Sequence, residues 1–200
     1  MGESMWTVAE RADAFFMNKS PIHETMRRLR DAMADLEIPF AIAGAMAANR
    51  HGHRRTTADV DILIVEEDLR RFKDAKIGLG YLNKFEGSKN FRDAVTGVNI
   101  DALLSGGYPG DGLPKPIVFP DPGEIELAVD EGLPYISLPT LMELKLASGM
   151  TSPQRMQDFA DVMNLIRINQ LPREFGGQLN DYVVPKFEEL WGYAQMEEDY

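Results

Sequence analysis

The sequence predicts an α+β fold: a small mixed β-sheet flanked by helices, followed by a C-terminal helical section. Two apolar runs that carry isolated acids, residues 59–65 and 98–104, read as strands entering a core. Apolar residues spaced three and four apart dominate the stretch from Ile22 to Leu36, and helical patterning returns after Thr140. No internal repeat is visible.

Taken in order, Ile22, Met26, Leu29, Met33 and Leu36 form one helical face, with Ser20 and Pro21 as cap and first helical residue. Pro39 ends that helix, and residues 40–43 are a short apolar run suited to a buried strand. Residues 44–50 are rich in small side chains and read as a helix packed closely on it. A polar loop, 51–58, leads into the strand at 59–65. Residues 66–77 alternate acids with bases, the pattern of a solvated helix. Strands are expected at 81–85, 91–95 and 98–104. Between residues 106 and 123 more than half the positions are Gly or Pro, so a long loop without regular structure is expected, a kind that is often functional. Ile125, Leu127 and Val129 alternate as in an edge strand, and 135–138 reads as another. Thr140 and Glu143 have capping-box spacing, and Gly149 sits where a C-cap would. Ser152-Pro153 opens a second helix with Met156, Phe159, Ala160 and Met163 on one face, and a third covers 181–195. This divides the chain into a core with N-terminal helices, 1–138, and a helical section, 139–200.

Composition narrows the function. The 200 residues include no cysteine, which excludes disulfides and thiolate metal sites. The longest apolar or small run, 41–48, is too short to span a bilayer. Glu3 and the lack of a long apolar stretch argue against a secretion signal, so a cytoplasmic protein is the expectation. A net charge of -11 disfavours general nucleic-acid binding. The charge is uneven: Arg27, Arg28 and Arg30 cluster, as do Arg50, Arg54 and Arg55, while the tail ends in acids. Locally basic loops suit a phosphorylated small molecule better than a long polyanion. A cationic, polyamine-like ligand is also compatible.

Asp59 and Asp61, in the run ADVDILIV, carry the most information. Residues two apart on a strand share a face. Paired carboxylates at the end of a buried strand are tolerated when a cation sits between them or one takes up a proton. The favoured reading is a divalent-metal site; the alternative is a strand-end turn with solvated or capping acids. Asp101 is a further acid inside an apolar strand, VNIDALL. If the two strands pair, three carboxylates converge. Such a set suits magnesium, which keeps waters and binds substrate phosphates. Two such ions can activate an attacking hydroxyl and neutralise a phosphoryl group in flight.

Residues 43–64, AGAMAANRHGHRRTTADVDILI, resemble the core signature of the nucleotidyltransferase superfamily, the polymerase-beta-like fold. The spacing Arg55-x-Thr57-x-Asp59-x-Asp61, a later Leu141 with Lys145, and Arg155-x-x-Asp158-x-x-Asp161 are similar to the small bacterial abortive-infection toxin-type members. The resemblance covers about 38–166. It implies Asp59, Asp61 and Asp101 as ligands of two Mg2+ ions with an NTP (ATP or another) bound, Asp101 also taking the acceptor's proton. It implies that Gly44 and Ala45 bring backbone amides to the triphosphate, with Arg55, Thr57 and Lys145 as further nucleotide contacts. Ala45 departs from the family, which usually has Gly or Ser there. The implied reaction moves an NMP to a hydroxyl acceptor: a small molecule, a protein side chain or a tRNA end, RNA being disfavoured by net charge. A non-catalytic nucleotide- or partner-binding module, such as half of a toxin–antitoxin pair, is the rival.

Bland readings stand beside several of these. His51 and His53 are expected to be solvent-exposed rather than ligands. Thr57 has the alternative of capping the turn, and Arg55 that of balancing nearby acids. Lys145 falls on the face of Leu141 and Leu144, so it points to the core and needs a partner such as Asp158 or Asp161. Arg155 and Asp158 have helical ion-pair spacing. Tyr108 and Phe119 offer faces for stacking a ring, with nothing in the sequence to fix their direction. Phe187, Leu190, Trp191 and Tyr193 are expected to pack a helix.

Overall fold

Residues 13–15 and 17–196 are described by the computed structural model. Helix α1 (Pro21–Ala34) begins at Pro21 behind Ser20, and its periodic face goes to the core: Met26, Leu29 and Met33 are fully buried. Pro39 and Phe40 lead into β1 (Ala41–Ile42), two buried residues that turn at once into α2 (Gly44–Arg50). The loop at 51–58 leads to β2 (Asp59–Ile64), and the solvated α3 (Glu66–Lys76) buries only Leu69 and Phe72. Three strands follow: β3 (Tyr81–Asn83), β4 (Phe91–Asp93) and β5 (Asn99–Leu104). After the long loop come β6 (Leu127–Asp130) and β7 (Leu133–Ile136), which pair antiparallel. The chain ends in helices α4 (Leu138–Thr151), α5 (Met156–Ile168) and α6 (Val184–Gln195), with short 3-10 turns at Pro153–Arg155 and Arg173–Gln178.

The strands form one mixed sheet in the order β3-β4-β5-β2-β1-β7-β6. The expected α+β architecture with a helical C-terminal section is therefore present. At its centre β2 pairs parallel with β5 and antiparallel with β1. The most apolar strands, β1, β2 and β5, lie innermost, because strands covered on both faces carry near-continuous apolar runs. The apolar core is continuous from Phe15 to Ala194 and draws on residues from both expected sections.

Some local expectations need correcting. Helix α4 begins at Leu138, not at Thr140; its cap is Ser137, whose Oγ accepts from the Thr140 amide at 3.4 Å. Glu143 instead accepts from the Asn180 amide at 2.6 Å, tying α4 to the turn before α6. The strand placed at 135–138 is shifted back to Leu133–Ile136, since Ser137 is already capping. Gly149 is no C-cap: α4 runs through it to Thr151. A Cβ at Gly149 would stand 2.6 Å from Phe159 Cε1, so the glycine lets α5 approach α4. Ile125 lies before β6 rather than in it. Phe187 and Leu190 are buried on α6 as expected, whereas Tyr193 is 47% exposed. The first twelve residues, part of the expected N-terminal helical region, lie outside the described residues.

Candidate active site

The β2–β5 register sets Asp61 opposite Asp101 and Asp59 opposite Asn99. Register partners in a sheet point to the same face, and so do residues two apart on one strand. The three carboxylates are thus neighbours on one face, as the sequence reading required. Thr57 Oγ donates to Asp59 Oδ1 at 2.7 Å, so Thr57 orients the first acid. Asp101 Oδ1 is buried without a hydrogen-bond partner. Asp61 is held up at about 6, first by burial and then by the like charges of Asp59 and Asp101; Lys145 and Arg155 pull the other way and do not prevail.

Gly44 is set against this cluster. The Ala43 amide donates to the Asp61 carbonyl at 2.9 Å, holding the β1–α2 turn beside β2. Gly44 has φ +56, and a Cβ there would lie 1.9 Å from Asp61 Oδ2. Two separate constraints, left-handed backbone and contact with a carboxylate, therefore require glycine at this point. Ala45 is buried in α2, its methyl group in the core rather than in the cleft.

A second charged cluster borders the same cleft as Asp61. Asp161, fully buried on α5, accepts from Lys145 Nζ at 2.6 Å, Gln157 Nε2 at 3.0 Å, His53 Nε2 at 3.1 Å and Arg55 Nη2 at 3.2 Å. Burial pushes this carboxyl up, but the Lys145 ammonium and the other donors outweigh it and hold it below the ordinary range. Lys145 also donates to Asp158 Oδ1 at 3.0 Å. The Lys145 salt bridge is thus present with both anticipated partners, and Asp158 is engaged with Lys145. His53 is not the exposed loop histidine that was expected, because its ring locks the 51–58 loop to α5. His51 is likewise half-buried, its Nε2 hydrogen-bonded to the Ile136 carbonyl at 2.9 Å. Asn49 fixes the same loop from within, accepting from the Arg55 amide and donating to the Arg55 carbonyl.

Both clusters contribute to one cleft, whose polar lining includes Gly44, Asp61, Lys145, Arg155 and Asp158. Its apolar lining includes Leu103, Leu141, Leu144, Pro109 and Phe119. Of the residues expected to contact nucleotide, Gly44 and Lys145 line the cleft with Asp61, whereas Ala45, Arg55 and Thr57 do not: Ala45 is buried, Arg55 binds Asp161 and Thr57 binds Asp59. Sequence reasoning did not single out Leu103, Pro109 and Ser148, which also line the cleft. Only the Gly/Pro content of the 106–123 loop signalled that part of the wall.

Among the described residues, no group of three or more His, Asp and Glu side chains stands ready-made to hold a metal ion. The fit of the acids to a hard cation rests on other features: an unpartnered buried oxygen on Asp101, an Asp61 carboxyl that resists ionising beside two like charges, and donors that are all oxygens. No family model matches the chain, and no curated protein matches it either. No helix among the described residues is long and apolar enough to cross a membrane.

Proposed function

We propose that this protein is a magnesium-dependent nucleotidyltransferase of the polymerase-beta-like superfamily, moving an NMP from an NTP to a hydroxyl acceptor and releasing pyrophosphate. The observation that carries the reading is the junction of Asp61, Asp101 and Gly44. Carboxylates in register on parallel strands meet a backbone turn that has no side chain to shield it. Asp59, Asp61 and Asp101 would hold Mg2+, which when bound neutralises phosphate charge and lowers the cost of ionising a hydroxyl.

The chain's own residues account for the rest. Asp101 Oδ1 accepts no hydrogen bond within the protein, which fits an oxygen kept for a metal ion or for the proton of the acceptor's hydroxyl. Gly44 leaves its peptide accessible to phosphate oxygens. Lys145, anchored by Asp158 and Asp161, presents positive charge at a fixed point of the cleft wall. Positioning and charge neutralisation of this kind supply most of the catalysis in phosphoryl transfer. The net charge of -11 makes small molecules and proteins better acceptors than RNA. A salt titration of tRNA binding separates these classes, since phosphate contacts give a steep salt slope.

Incubation with alpha-labelled NTPs, magnesium and candidate acceptors tests the reading. Label should transfer with wild type and not with Asp101→Ala of equal stability. Absence of both label transfer and magnesium-dependent NTP binding would overturn it. A second reading, a non-catalytic nucleotide- or partner-binding module such as one half of a toxin–antitoxin pair, is favoured by Ala45, which supplies no hydroxyl for phosphate. It is supported instead if Asp101→Ala keeps full biological activity.

A further inference from the structure

We infer that Phe119 is the platform on which the nucleobase of the bound nucleotide lies, an inference that rests on the nucleotidyltransferase reading. The cleft has two chemically distinct kinds of lining: Asp61, Lys145 and Arg155 are charged, whereas Leu103, Leu144 and Phe119 are apolar. A nucleoside triphosphate has the same division, with anionic phosphates at one end and a flat aromatic base at the other.

Phe119 is held in place before any ligand arrives. Its amide donates to the Gly107 carbonyl at 2.8 Å, and its carbonyl accepts from the Gly106 amide at 2.8 Å, closing the neck of the 106–123 loop. Ser105 Oγ donates to the next carbonyl, Pro120, at 3.0 Å. The ring lies against Gly107, where a Cβ would meet Phe119 Cδ2 at 3.4 Å and the Leu104 carbonyl at 3.0 Å. The missing side chain gives the ring a backbone floor, and the half-buried ring still lines the cleft. Tyr108, the other aromatic of this loop, is already engaged: the Lys115 ammonium sits over its ring at 5.7 Å. Lys115 in turn binds the Pro109 carbonyl at 2.7 Å and Asp111 at 2.6 Å, so the loop is stitched to itself. At Gly110 it rests on α4, with a Cβ there only 2.3 Å from Thr151 Oγ1. Phe119 is thus a rigid wall of the cleft. Stacking tolerates any base, because every base has a π-face. The platform therefore separates nucleotides from bare polyphosphate and discriminates little among the four bases.

The test is calorimetric titration of the full chain, in magnesium, with non-hydrolysable NTP analogues and with inorganic tripolyphosphate. Phe119→Ala should weaken each of the four analogues by roughly five- to a hundred-fold while leaving tripolyphosphate affinity unchanged. Phe119→Trp should restore analogue binding. Equal weakening of analogue and tripolyphosphate would mean that the loop has merely collapsed, and would overturn the platform. So would unchanged analogue binding in Phe119→Ala. If wild type itself binds no analogue, the nucleotidyltransferase reading fails and the platform with it, an outcome distinct from failure of the platform alone.

Discussion

Replacing Asp61 by Asn should stabilise the metal-free protein, and only where the carboxyl would be ionised. Burial, then Asp59 and Asp101, raise this acid from 3.8 to about 6 in the folded state. A shift of that size corresponds to about 3 kcal/mol of folding free energy. The acid is protonated in both states below its unfolded value, so stability is full there. As pH rises through the folded value, the unfolded chain ionises freely and the folded one reluctantly, and stability is lost. Asparagine keeps the shape and carries no charge. Solvent at the partly exposed carboxyl screens part of the effect, so a gain of about 1–3 kcal/mol is expected near pH 8, falling to nothing near pH 4. Urea denaturation of both proteins across that range, with chelator present, measures the difference directly. Added magnesium should then stabilise wild type at the higher pH and leave Asp61→Asn unmoved. A gain that does not change with pH, or a variant less stable than wild type at high pH, would refute the claim that the carboxylates repel one another.

Three further outcomes follow from named contacts. Gly44→Ala should lose about 1–2 kcal/mol from left-handed backbone alone, and because its Cβ would displace Asp61 Oδ2 it should also abolish magnesium-dependent nucleotide binding; denaturation and titration read the two effects separately. Asp161→Ala should cost about 3–5 kcal/mol by leaving Lys145, Arg55 and His53 facing an empty buried site, seen as a lowered denaturation midpoint. Gly149→Ala should destabilise by about 1–3 kcal/mol through overpacking against Phe159, although alanine is the better helix former by about 1 kcal/mol; a stabilised variant would show that the α4–α5 contact is not tight.

The central strands were legible in the sequence because their apolar residues run with few polar positions to confuse the pattern. An acid surviving inside such a run, as at Asp61 and Asp101, then stands out. The strand register that brings them opposite each other was a condition of the reading, and β2–β5 pairing meets it. What the sequence did not disclose is tertiary. The spacing of Thr140 and Glu143 imitates a capping box, yet Ser137 caps because Pro139 fits the first turn of the helix and Asn180 engages Glu143. Gly149 resembles a stop signal until Phe159 is seen against it. His53 has nothing local to mark it, since its partner lies 108 positions away. Nor could the direction of Phe119 be read without the ladder at the loop's neck.

The two charged clusters bordering the cleft are satisfied to opposite degrees, and the contrast bears on function. Asp161 receives four donors and titrates low, which is what a fold achieves when a buried carboxylate serves structure. Asp101 keeps a buried oxygen, Oδ1, with no hydrogen-bond donor. Lys145 and Arg155 are the cations that line the cleft with Asp61. The Lys145 ammonium is committed to Asp158 and Asp161, and its charge, which pulls Asp61 down, does not hold that acid in the ordinary range. A lysine released from α5 could neutralise the acids and stabilise the fold. That it is tethered away from them fits acids reserved for a positive partner from outside the chain, and it makes the expected gain in Asp61→Asn and the expected response to magnesium two measurements of one property.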